Sequence, residues 1–107
     1  MTGSFGEMGS LLKQAQQMQR ELDKVRADLK SRTVEGSSGG GAVRVWVTGD
    51  RQVTKVEVAE QAFESASKAE LEELLLIALR DGISKSARMA EEALAKVTGG
   101  VHLPGLF

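Results

Sequence analysis

The sequence contains no cysteine, one histidine and one proline among its 107 residues. Without cysteine, the chain has no disulfide framework, no thiol nucleophile and no thiolate metal ligand, a composition that fits a reducing cytoplasm. Long apolar segments are also absent. The longest, Leu74–Leu79, falls far short of the about 20 residues that cross a bilayer. We therefore expect a cytoplasmic protein with no membrane partner.

An excess of charge of one sign is absent as well. Lys and Arg number 14 and Asp and Glu number 15, so the net charge is −1. This balance counts against a strongly basic nucleic-acid binder, and any such binding depends on where the charges lie. Residues 7–32 hold six basic residues against four acidic ones, a local charge of +2.

Residue patterns of known catalytic or cofactor sites are missing too. His102 is the only histidine, and no zinc-protease, serine-hydrolase or dinucleotide motif is present. The glycine-rich segment 36–41 lacks the Lys-Ser/Thr pair of a phosphate loop and leads into a strand pattern, which favours a mobile hairpin loop. We expect no enzyme activity, cofactor, metal or small-molecule substrate.

One long helical pattern dominates the chain, from about residue 7 to residue 31. Apolar residues recur at alternating steps of three and four, the period of a helix that packs along a seam. At about 1.5 Å per residue the helix is roughly 37 Å long, more than one small sheet can cover. The uncovered seam predicts a homodimer. The seam comprises Leu11, Ala15, Met18, Leu22, Val25 and Leu29.

The opposite face of the same helix carries a stripe without acidic residues, formed by Lys13, Gln17, Arg20 and Lys24. Such a stripe is a candidate surface for DNA phosphates, and Lys30 and Arg32 near the helix end extend the candidate set. The alternative is a solvated face built from good helix formers. On the stripe alone, that alternative is favoured.

The remaining pattern predicts an α+β fold in one domain. Residues 32–58 read as a three-stranded antiparallel meander, in which alternating Val43, Val45 and Val47 face the core. Ser67 can cap a second long helix over residues 68–98, with Gly82 as an internal weak point. Residues 1–6 are expected to form a flexible arm, and residues 99–107 an apolar tail.

Three segments together resemble a known family. They are Leu11–Gln19, the Val34-Glu35-Gly36 segment with its following glycines and Val-rich hairpin, and the tail from Gly99 to Phe107. In this order they resemble the YbaB/EbfC family of bacterial nucleoid-associated proteins. The resemblance implies an α-β-β-β-α protomer, two long helices flanking the sheet, a tweezer-like homodimer, and binding of double-stranded DNA in the cytoplasm or nucleoid without enzyme activity or cofactor.

The chain departs from the family in its Glu-rich second helix, where Glu70, Glu72 and Glu73 argue against a DNA surface. The leading hypothesis is a dimer that contacts DNA phosphates with little sequence preference and affects nucleoid organisation and gene expression. The alternative is a dimeric adaptor whose helix faces bind other proteins, which the near-neutral charge favours.

Overall fold

The computed structural model describes residues 3–99 and has the order α-β-β-β-α-α. The elements are α1 Gly3–Ser31, β1 Thr33–Ser38, β2 Val43–Thr48, β3 Val53–Val58, α2 Glu60–Ser65 and α3 Lys68–Thr98. The α+β protomer is therefore confirmed, with one short helix added between the sheet and the last long helix.

Both ends of the chain differ from the predicted boundaries or lie outside the described residues. Helix α1 begins at Gly3, so the helix includes part of the predicted arm. Ser67 does cap α3, since its hydroxyl accepts a hydrogen bond from the Glu70 amide at 3.1 Å. Gly99 ends α3 in the left-handed conformation. The rest of the predicted tail, including His102, lies outside the described residues.

The three strands form an antiparallel sheet in the order β1-β2-β3. Val43, Val45 and Val47 of the central strand are fully buried, while the residues between them are exposed or half-buried. This is the predicted alternation, and it occurs because only one face of β2 packs beneath a helix. The buried valines and Ala78 of α3 form the core.

A bulge in β3 changes one part of the predicted alternation. Trp46 pairs with Lys55, whereas the adjacent Val47 pairs with Val53, so Thr54 is the extra residue on β3. An uninterrupted alternation along β3 would place Val53 on the same face as Lys55. The register instead places Val53 opposite Val47, on the core side of the sheet.

Two glycines allow α3 to lie directly on the sheet. Gly36 belongs to β1, so the predicted connector shrinks to the turn at residues 39–42. A Cβ on Gly36 would collide with the backbone of Gly82, and a Cβ on Gly82 would lie 2.8 Å from a methyl of Val47. Gly82 is therefore required for close packing, a role that the weak-point interpretation, based on helix propensity alone, did not include.

Helix α3 covers β1 and β2 and then continues past the end of the sheet. At one end of the strands, the Ser38 hydroxyl donates to the Leu74 carbonyl oxygen at 2.6 Å. At the other end, the Ser86 hydroxyl donates to the Thr48 carbonyl oxygen. Residues 87–98 extend about 18 Å farther at about 1.5 Å per residue, and this extension packs against α1. The molecule measures 78 × 20 × 16 Å.

The close contact at Gly82 predicts the sign of a helix substitution. Gly82→Ala should destabilise the protein, because an overpacking cost of about 1–3 kcal/mol outweighs a helix-propensity gain of about 1 kcal/mol. Gly9→Ala in α1 is the matched control, since a Cβ there meets nothing within 4 Å and should be stabilising. Urea unfolding midpoints measure both. A Gly82→Ala protein as stable as Gly9→Ala contradicts the packing account.

Candidate nucleic-acid interface

The stripe of Lys13, Gln17, Arg20 and Lys24 is exposed along α1. Steps of four, three and four residues keep these side chains on one side of a helix, over about 17 Å at about 1.5 Å per residue. Among the described residues, no salt bridge involves Lys13, Arg20 or Lys24. The three cations are therefore available to an anionic partner.

Charge, and not exposure, distinguishes the stripe from the rest of α1. Residues 7–21 are exposed on every side, because α3 packs only against the later part of the helix. One acid that flanks the stripe, Asp23, is paired with Arg26 at 3.5 Å and accepts a hydrogen bond from the Gln19 amide at 3.2 Å. These contacts offset one of the negative charges beside the stripe, whereas Glu21 and Asp28 flank its other side.

The structure separates Lys30 and Arg32 from the stripe. Lys30 follows Lys24 by six residues, which is a rotation of about 120° around the helix axis. Arg32 follows Ser31, the last residue of α1. The six candidate residues therefore do not form one surface: four share a face, and two lie elsewhere.

Lys30 instead lines a cavity of about 520 Å³ between α1, α3 and the turn that joins β2 to β3. Arg26 of α1 and Arg51 of the turn line the same cavity, as do the acidic Asp50 and Glu91. The apolar floor comprises Leu29, Ala87, Ala90 and Leu94. Sequence reasoning missed Arg51, because a turn residue shows no periodicity that relates it to a helix twenty residues earlier.

The predicted seam is covered only in part by the chain's own residues. Leu22 and Leu29 are buried, and Val25 is half-buried, where α1 packs against α3. Ala15 is exposed, Leu11 is 65% exposed and Met18 is 37% exposed. The N-terminal half of the seam therefore remains open to a further apolar surface.

A second uncovered apolar surface lies along β3. Helix α3 packs on β1 and β2, so the core-facing side of β3 has no helix above it. Helical spacing places Leu76 and Ile83 of α3 on the flank toward β3. The members of this β3 surface are 39% to 46% exposed: Val53, Val56, Leu76 and Ile83.

The two edges of the sheet differ in their protection. At β1, the Asp81 carboxylate of α3 accepts a hydrogen bond from the Ser37 amide at 3.0 Å, and the Lys85 ammonium donates to the Glu35 carbonyl oxygen at 3.2 Å. The Ser37 amide and the Lys85 ammonium lower the pKa of Asp81. None of the described hydrogen bonds reaches the outer edge of β3 from another element.

The basic side chains on the solvent face of the sheet form ion pairs with neighbouring acids. The Lys55 ammonium lies 4.7 Å from the centre of the Trp46 ring, and Lys55 also pairs with Glu57 at 3.5 Å. Arg44 pairs with Glu35 at 3.5 Å. Among the described residues, this face therefore offers no unopposed positive patch.

Within residues 3–99, no group of three or more His, Cys, Asp or Glu side chains is placed to hold a metal ion. None of the helices in this part of the chain combines the length and apolarity needed to span a bilayer.

Comparison with known proteins matches residues 5–101 to the YbaB/EbfC DNA-binding family. A nucleoid-associated protein of Acetivibrio thermocellus is 37% identical over 106 residues, covering 98% of this chain and 94% of that protein. A nucleoid-associated protein of Chloroflexus aurantiacus is 39% identical over 97 residues, covering 91% of this chain and 95% of that protein. The crystal structure of an uncharacterized protein of Helicobacter pylori, HP0035, shares the fold with a TM-score of 0.70 and 23% sequence identity. The match covers 89% of this chain and 97% of that one.

The hydrogen bonds that Asp81 and Lys85 make at the β1 edge, here called the clasp, predict a pH-dependent contribution to stability. The pKa of Asp81 in the folded protein lies below its ordinary value of 3.8. The charged Asp81 carboxylate therefore stabilises the fold fully above pH 3.8, and this stabilisation is lost as the pH falls through the lowered pKa. Asp81→Asn should therefore lower the urea midpoint at pH 7, and the difference from wild type should shrink below about pH 4.

Asp28→Asn is the control, because none of the described side-chain hydrogen bonds or salt bridges involves the Asp28 carboxylate. A constant difference between Asp81→Asn and wild type from pH 7 to pH 3 would show that the Asp81 charge does not stabilise the clasp.

Proposed function

The chain belongs to the YbaB/EbfC DNA-binding family, and we propose that it is a bacterial nucleoid-associated protein that binds double-stranded DNA as a homodimer. The observation that carries the proposal is the stripe on α1, whose three cations have no ion-pair partner among the described residues. Family membership makes DNA the preferred polyanion for this surface.

Contacts to the phosphate backbone are the mode of binding that the stripe favours. Lys and Arg that neutralise phosphates release counterions, and this term does not depend on base sequence. The stripe has one amide, Gln17, and no aromatic side chain to read or stack on a base. We therefore propose that the protein binds DNA with little sequence preference and has no enzyme activity. The binding changes the shape of the DNA and so affects nucleoid organisation and gene expression.

A second copy of the chain is the occupant we propose for the β3 surface. A protein seldom leaves both a strand edge and an adjoining apolar face uncovered, because each favours association. Phe63 of α2, which directly follows the sheet in the chain, is also exposed, at 68%. A two-fold dimer through this surface buries the same residues on both protomers and presents two copies of the stripe.

The alternative function is a dimeric adaptor that binds proteins and not DNA. The net charge of −1 and the exposed Leu11 and Met18 of the seam favour it. The two functions differ in salt response, because an adaptor predicts negligible duplex binding at about 0.15 M salt.

The stripe predicts a steep salt dependence of duplex binding. The three stripe cations of each protomer give a log-log slope of about −5 for the dimer, at about −0.9 per contact, and five contacts per protomer, two of them outside the stripe, give about −9. The variant Lys13→Glu/Arg20→Glu/Lys24→Glu should abolish binding at about 0.1 M salt. Fluorescence anisotropy of a labelled duplex of random sequence measures the affinity at each salt concentration.

The matched control is Lys68→Glu/Arg88→Glu/Lys96→Glu, which makes the same change of charge on exposed positions of α3. It should retain a steep slope and lose much less affinity than the stripe variant. Equal affinity of the stripe variant and wild type would remove this surface from the proposal, and a lack of wild-type binding would favour the adaptor.

The β3 surface predicts the residues on which dimerisation depends. Val56→Lys/Ile83→Lys should shift the protein from dimer to monomer at micromolar concentration, because two charges per protomer would be buried in the interface. Glu57→Gln on the opposite face of β3 is the control and should stay dimeric. Sedimentation velocity measures the mass of each. A wild-type monomer, or a dimer unaffected by the double substitution, contradicts this interface.

A further inference from the structure

We propose that Arg51 and Lys30 form a second phosphate-contact surface, separate from the stripe, at the cavity between α1, α3 and the β2–β3 turn. This inference rests on the proposed DNA binding and extends it to a residue that lies outside the helices. The chemical class of the ligand is a phosphodiester of duplex DNA. Two features of the molecule support this surface: the attachment of the turn to α1, and the pairing of the charges around the cavity.

Close packing fastens the turn to the end of α1. The Gly49 amide donates to the Leu29 carbonyl oxygen at 2.9 Å and to the Arg32 carbonyl oxygen at 3.0 Å. A Cβ on Gly49 would lie 2.6 Å from the Leu29 oxygen, so only glycine permits this approach. The turn therefore lies against α1, and Arg51, two residues after Gly49, lines the same cavity as Lys30.

Hydrogen bonds within the turn hold its backbone in one conformation. The Arg51 amide donates to the Thr48 carbonyl oxygen at 3.0 Å, and the Gln52 amide donates to the Thr48 hydroxyl at 3.1 Å. The Asp50 carboxylate accepts a hydrogen bond from the same hydroxyl. A turn that is already ordered loses little conformational entropy when its exposed arginine binds a ligand.

The charges around the cavity leave two cations for a ligand. Arg26 is paired with Asp23, whereas no salt bridge among the described residues involves Lys30 or Arg51. Of the two acids, Asp50 accepts a hydrogen bond from the uncharged Thr48 hydroxyl, and Glu91 of α3 lies at the same cavity; neither has an ion pair among the described residues. Glu91 should therefore oppose an anion at this site, which makes it a residue whose neutralisation strengthens binding.

The second surface includes Lys30, which does not share a face of α1 with the stripe. Lys30 lies about 120° around the helix from Lys24, and Arg51 lines the same cavity as Lys30, so a duplex reaches this pair only by contacting a second side of α1. Two added contacts per protomer raise the expected slope of the dimer from about −5 to about −9. The stripe alone and the two surfaces together therefore predict different salt dependences.

Two single substitutions with opposite expected effects test the inference. Arg51→Gln should lower duplex affinity about tenfold or more at about 0.1 M salt and make the slope shallower by about 1.8, since the dimer loses two contacts. Glu91→Gln should raise the affinity severalfold, because a repulsion is removed. The controls are Arg88→Gln and Glu92→Gln, which make the same charge changes at exposed α3 positions that do not line the cavity.

The assay is the anisotropy titration of a random-sequence duplex, with full-length protein of confirmed mass and unfolding midpoint. The second surface is supported if Arg51→Gln and Glu91→Gln move affinity in opposite directions and each exceeds its control. If wild type binds DNA and each variant equals its control, the second surface is wrong while the proposed function stands. If wild type does not bind the duplex at low salt, both proposals fail.

Discussion

The architecture depends on the direct contact between α3 and the strand pair β1 and β2. Gly36 and Gly82 bring the helix backbone against the strand backbone, and any larger residue at either position would separate them. The same contact brings Asp81 and Lys85 to the outer edge of β1 and buries the three valines of β2. Because α3 lies over two strands, the third strand has no helix above it.

That placement also determines where charge and apolar surface are exposed. Helix α3 passes the end of the sheet, and its last turns pack on the C-terminal half of α1. The N-terminal half of α1 extends beyond these contacts, and the cationic stripe runs from this half into the C-terminal half. The open face of β3 belongs to the sheet and not to α1. The surface proposed for self-association and the surface proposed for DNA therefore do not compete for the same residues.

The parts of this structure that follow from local periodicity could be predicted from the sequence. The steps of three and four in α1, the alternation of Val43, Val45 and Val47, and the Ser67 cap each depend on residues close in the chain. Likewise, the even spacing of the stripe follows from one helix. The resemblance to the family came from three short segments of the sequence, and the comparisons confirm it.

The features that could not be predicted depend on contacts between distant segments. The bulge at Thr54 is set by pairing with β2, and the role of Gly82 depends on Gly36, which is far away in the chain. Arg51 joins Lys30 only because the β2–β3 turn packs on the end of α1. A conspicuous glycine inside a helix was the one available indication of close packing, and its partner could not be identified from local pattern.

The central claim is that the outward face of α1 contacts the DNA backbone. Reductive methylation of wild-type lysines, followed by mass spectrometry with and without a saturating duplex, tests it most directly. The account predicts that the duplex protects Lys13 and Lys24, whereas Lys68 at the start of α3 is modified equally in both samples. Equal modification of all three lysines in the bound and free protein would contradict the account.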